Sequence, residues 1–118
     1  GATRVAPVLA GVGPVQKELR ARLAENLATL DAAIASTGPE TPLRRLPRDG
    51  GWYAMIDVPR TRSDEEWVLH TLDEAGVLVQ PGYFYDVAEE GTLVLSLLGE
   101  PGSFAAALGP VTRLWALG

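Results

Sequence analysis

The longest regular pattern in the chain is an apolar stripe. Val15, Leu19, Leu23, Leu27, Leu30 and Ile34 recur at spacings of four and three, the period of one face of a helix. Arg20, Arg22, Glu25 and Asp31 fall off the stripe onto the polar side. Pro14 suits the first helical position, where its missing N–H has no partner to lose, and Ser36-Thr37-Gly38-Pro39 supplies a stop. A long helix is therefore predicted over 14–37. The residues before it, 1–13, mix glycine, proline and small apolar side chains without a period and read as an irregular lead-in. After a loop rich in proline and arginine, Trp52 to Val58 is an aromatic and β-branched run that stops at Pro59, as a strand would.

Ser63 and Glu66 form a capping-box pattern that fixes the start of a second helix. Val68, Leu72 and Ala75 give that helix an inner face, and Gly76 stands where a left-handed residue would end it, with Val77 in reach of Leu72. Val77 to Gln80 reads as a short buried strand halted by Pro81-Gly82, and Thr92 to Leu98 as a longer strand apolar on both faces. A last helix runs from about Pro101 towards Trp115, and Pro110 either kinks it or divides it. Helices and short strands in this order predict an α+β two-layer domain, a small sheet with helices packed on it, with 52–118 holding the sheet and later helices.

Composition narrows the chemistry. At 118 residues, 47% hydrophobic and 21% charged, the chain reads as one globular domain or a piece of a larger protein. It has no cysteine and one histidine, which removes thiolate catalysis, disulfides and Cys-based or multi-histidine metal sites. Ten basic against fifteen acidic residues leave a net charge of −5, and Arg44, Arg45 and Arg48 are the one tight basic cluster, so nucleic acid is not an expected partner. No apolar run reaches the roughly 18 residues of a membrane span, and the N-terminus lacks the order of a signal peptide. A cytoplasmic location without a membrane partner is the resulting expectation.

Few single residues offer a reaction. His70 is predicted to turn away from the inner face of its helix and reads as solvated, and Lys17, the only lysine, sits beside Glu18 on a polar face that would keep it protonated. Gly11-Val12-Gly13 ahead of a helix has the look of a phosphate cradle but lacks the third glycine and the Gly-Lys-Ser/Thr ending. The loop Pro81-Gly82-Tyr83-Phe84-Tyr85-Asp86 is more informative, because three consecutive aromatics after a buried strand exceed what core packing can absorb. Ligand-facing loop and local packing both remain open for it.

Gly50-Gly51-Trp52-Tyr53 before an apolar strand, Ser63-Asp64-Glu65-Glu66, Ala75-Gly76-Val77-Leu78-Val79-Gln80-Pro81-Gly82 and Gly91-Thr92-Leu93-Val94-Leu95-Ser96 follow one another in a familiar order. In these pieces the chain resembles the C-terminal small domain of class I/II, fold-type I aminotransferases that use pyridoxal phosphate. The helix carrying Asn26-Leu27 also resembles the long helix that joins the two domains in that family. The resemblance implies a small, mainly antiparallel sheet and a chain that is a fragment of a longer one. Its large domain would supply the cofactor lysine and most cofactor contacts, and the whole would act as a homodimer on a small amino or keto acid.

Gly51, Gly82, Tyr83, Phe84, Tyr85 and Val94 are the substrate-side residues that follow from it, with no catalytic group and no metal in this part. Val94 stands where typical members carry an arginine that grips the substrate carboxylate, so that anchor is lost or moved. The expected function is amino-group transfer between an amino acid or amine and a keto acid. The alternative is an aminotransferase-like effector-sensing domain of a transcriptional regulator, without turnover.

Overall fold

The computed structural model describes the backbone of residues 2–47 and 51–118, and the side chains from residue 13 onward within that range. Helix α1 runs over Ala2–Ala35, followed by strands β1 (Arg44–Arg45) and β2 (Tyr53–Asp57), helix α2 (Asp64–Ala75), strand β3 (Gln80–Pro81), a 3-10 turn over Gly82–Tyr85, strand β4 (Thr92–Ser96) and helix α3 (Pro101–Leu117). The four strands form one sheet in the order β1-β2-β4-β3, and every neighbouring pair is antiparallel. The fold is thus α+β, as the pattern predicts.

Alternation along β2 and β4 sorts the sheet into two faces. Ala54, Ile56, Leu93 and Leu95 point into a core that Leu30 and Ile34 of α1, Trp67 of α2 and Phe104, Leu108, Val111 and Trp115 of α3 close from the helical side. A relay of polar bonds runs through α2 and joins it to α3 and to the loop after β2. The Trp115 indole N–H donates to Thr71 Oγ1 at 2.8 Å, the Thr71 hydroxyl donates to the Trp67 carbonyl at 2.7 Å, and the Trp67 indole donates to the Pro59 carbonyl at 2.8 Å. Each of these buried polar atoms would cost stability if left unpaired.

Several elements differ from the sequence reading. Helix α1 begins at Ala2, so residues 2–13 are helical rather than an irregular lead-in, and it ends at Ala35 rather than 37. Alanine, valine and leucine extend an existing helix at one hydrogen bond per residue, and Pro14 is carried in its interior. Gly11-Val12-Gly13 consequently lies within α1 and not ahead of a helix start, which removes the anion cradle.

The predicted strand Val77–Gln80 pairs only from Gln80, because Val79 is drawn into the core; Pro81 belongs to the ladder, at the sheet edge where its missing N–H is tolerated. On α2 the buried positions are Asp64, Trp67 and Thr71, whereas Leu72 is exposed. Pro110 leaves α3 undivided, with its ring and the Ala106 carbonyl it cannot serve both on the exposed side. Arg44 and Arg45 form the unpredicted strand β1 and pair with Asp57 at 3.1 Å and Asp31 at 2.6 Å; Arg48 and Gly50 lie outside the described residues.

Candidate functional site

On the sheet face away from the helices, the register builds a groove. Tyr53 pairs with Ser96, while Met55 and Gln80 flank Val94 on its two sides, so strand alternation brings Val94, Ser96, Tyr53 and Gln80 to one surface. Leu78 from the segment before β3, Tyr85 from the 3-10 turn, Trp52 before β2 and Leu98 after β4 complete its walls, enclosing about 350 Å³. Val94 is the floor, at 2% exposure, and Leu78 and Trp52 are the most open walls. The Tyr53 and Tyr85 rings meet at 4.6 Å between centroids and 46° between planes, which fixes one side of the groove by a tilted aromatic contact.

The turn that carries Tyr85 is positioned by Gly82, which is buried against Thr92 and Val87. Its missing side chain admits close packing of its own chain. Consecutive residues of a 3-10 turn point about a third of a revolution apart, so the three aromatics cannot share one wall. Tyr83 and Phe84 instead form an edge-to-face pair, 5.1 Å between centroids, in a second cleft of about 330 Å³ beside Val68 and Leu69 of α2. The Tyr83 hydroxyl donates to Glu65 Oε1 at 3.0 Å, and this bond to a carboxylate holds the phenol above its usual pKa.

Of the substrate-side residues read from sequence, the structure therefore brings Val94 and Tyr85 together and leaves Tyr83 and Phe84 in another cleft. Gly51, with φ of +85°, sits next to Trp52 at the entrance to β2. The groove also takes in Trp52, Tyr53, Leu78, Gln80, Ser96 and Leu98, which the sequence pattern does not mark as site residues. The alternation Val94-Leu95-Ser96 was the available signal for Ser96, but the pairing that adds Tyr53 and Gln80 is not written in either strand alone. His70 is half-buried with its ring 6.0 Å from that of Trp67, and Lys17 is exposed on α1. Among the described residues no group of three or more metal-ligating side chains occurs, and no helix is long and apolar enough to cross a membrane.

No family model matches the chain, and no curated protein matches it either. Solved structures do. A PLP-dependent aminotransferase from Streptococcus suis superposes with a TM-score of 0.73 at 24% identity, covering 89% of this chain and 27% of that one. The chain has the fold of the C-terminal small domain of pyridoxal-phosphate-dependent aminotransferases. An aminotransferase from Mycobacterium tuberculosis aligns at a TM-score of 0.71 and 25% identity over 86% of this chain and 26% of its own. YbdL from Escherichia coli, described with a methionine aminotransferase function, aligns at 0.70 and 20% over 93% and 28%. The chain spans about a quarter of the length of the aminotransferases it matches.

Proposed function

We propose that this chain is the substrate-side C-terminal domain of a pyridoxal-phosphate-dependent aminotransferase that moves an amino group between an amino acid or amine and a keto acid. The observation that carries the reading is the superposition of nearly the whole chain on a quarter of each of several aminotransferases. A groove on the helix-free face of the sheet supports it, since a small domain of this kind can act only by presenting such a surface to a site completed elsewhere.

The residues present do not make a cofactor site on their own. Among the described residues no lysine or arginine lines the groove, and the sole lysine, Lys17, stands exposed on α1 outside it. The group that holds the cofactor and those that bind its phosphate therefore belong to the remainder of a longer protein. This chain contributes walls: Tyr53 and Tyr85 exclude water, Val94 sets the floor, and Ser96 and Gln80 orient a ligand. The partner implied is that remainder, in a homodimeric enzyme of the cytoplasm.

The test is amino transfer by the full-length protein that contains this sequence, purified with its cofactor. A panel of amino donors and keto acids should yield new amino acid and new keto acid in equal amounts. A preparation that holds the cofactor, binds an amino acid and transfers nothing would overturn the reading in favour of an effector-sensing domain.

A further inference from the structure

Among the described residues, the lining of the groove that holds Val94 is uncharged: none is an aspartate, glutamate, lysine, arginine or histidine, in a chain with fifteen acidic and ten basic residues. Three of its walls are aromatic, and the Tyr53–Tyr85 pair leaves the indole of Trp52, 57% exposed, as a free ring surface. Two neutral polar groups remain. The Gln80 side chain is half-buried and makes no hydrogen bond among the described residues, and Ser96 Oγ accepts from the Leu98 N–H at 3.2 Å, which leaves its own proton to donate. A carboxylate entering this groove would shed water with no cation among the described lining residues to receive it, whereas a planar ring with a neutral polar substituent would find ring faces, a donor and an acceptor.

We propose that the groove formed by Trp52, Tyr53, Tyr85, Val94, Gln80 and Ser96 selects a neutral aromatic ligand group and rejects an anionic one. The inference rests on the aminotransferase reading only in calling that ligand a substrate; the selectivity belongs to the groove itself. Gln80 and Ser96 are its specificity-determining pair, hydrogen-bonding the substituent, and Trp52 stacks on the ring.

Benzamide and benzoate test it, being nearly the same shape and differing in charge. In the 118-residue chain, whose core closes among its own elements, benzamide should shift the Trp52 indole N–H and Gln80 side-chain amide resonances in a saturable way. The indole signals of Trp67 and Trp115, both fully buried, should stay in place. Benzoate should bind about tenfold more weakly or worse. Gln80→Arg should reverse the preference, and Gln80→Ala should weaken benzamide without altering the fold. Benzoate binding as tightly as benzamide would overturn the proposal. So would saturating benzamide that leaves Trp52 and Gln80 unmoved, or that shifts the Tyr83–Phe84 cleft instead. Absence of amino transfer by the full-length protein would remove the enzyme reading and leave these shifts untouched, while transfer with a preference for dicarboxylic donors would remove the selectivity and keep the enzyme.

Discussion

Gly82 shows how a single residue sets the site. A Cβ built there would lie 3.0 Å from the Thr92 carbonyl oxygen and 3.1 Å from both Thr92 Cβ and Val87 Cβ, and the nearest of these atoms is the backbone of a ladder strand that cannot retreat. Gly82→Ala must therefore move the 3-10 turn. Overpacking of this kind costs about 1–3 kcal/mol, read as a lower denaturant midpoint at unchanged slope. A midpoint that stays within error would show that the turn floats free of β4. Asn26 acts at the same scale on the opposite side of the molecule: its amide donates to the Leu97 and Gly99 carbonyls at 2.9 and 2.8 Å, clasping the end of β4 to α1. Its Oδ1 has no partner among the described residues, so the two bonds are kept despite an unpaired acceptor.

At the scale of elements, helix starts are held by carboxylates. The Glu66 side chain accepts from the Ser63 N–H at 2.9 Å, and Glu100 accepts from the Gly102 and Ser103 N–H groups at 3.0 and 2.8 Å. The backbone bond from Ser63 holds Glu66 below the usual glutamate pKa, and those from Ser103 and then Gly102 do the same for Glu100. A carboxylate lowered on folding contributes its stability above the unfolded value, about 4.3, and loses it as pH falls through the folded value. The double variant Glu66→Gln, Glu100→Gln should accordingly be less stable than the parent sequence at neutral pH and should lose less on going to about pH 3. Equal losses in urea midpoint for the two proteins would show that these carboxylates titrate alike in both states.

The capping box and the left-handed Gly76, φ 68°, are legible in sequence because a cap is a local pattern of a few residues. Strand β3 is not, since an apolar run such as Val77-Leu78-Val79 suits both a ladder and a core, and the partner strand decides. The groove fell between these cases. Its floor and Tyr85 were visible as single residues, but their company depends on the β2–β4 register and on how a tight turn splays three rings.

At the scale of the whole molecule, α1 outruns the body it packs on. Its 34 residues span about 51 Å, most of the longest dimension of 56 Å. The stripe that marks it is consequently graded: Leu30 is fully buried and Ile34 nearly so, Leu27, Leu23 and Leu19 are half-buried, and Val15 is 62% exposed. One hydrophobic period thus serves two surfaces, the inner end facing the core of this domain and the outer end facing away from it. Leu30→Ala should cost about 2–5 kcal/mol in the 118-residue chain, and Val15→Ala should stay within about 0.5 kcal/mol. In the full-length protein that the proposed function requires, a larger domain covering the outer stripe would raise the Val15→Ala cost to about 1–2 kcal/mol, the worth of the methyl groups then buried. Thermal unfolding of both variants in both chain lengths separates the cases. A Val15→Ala effect that remains near zero in the longer protein would place the large domain elsewhere and leave the outer stripe open to solvent.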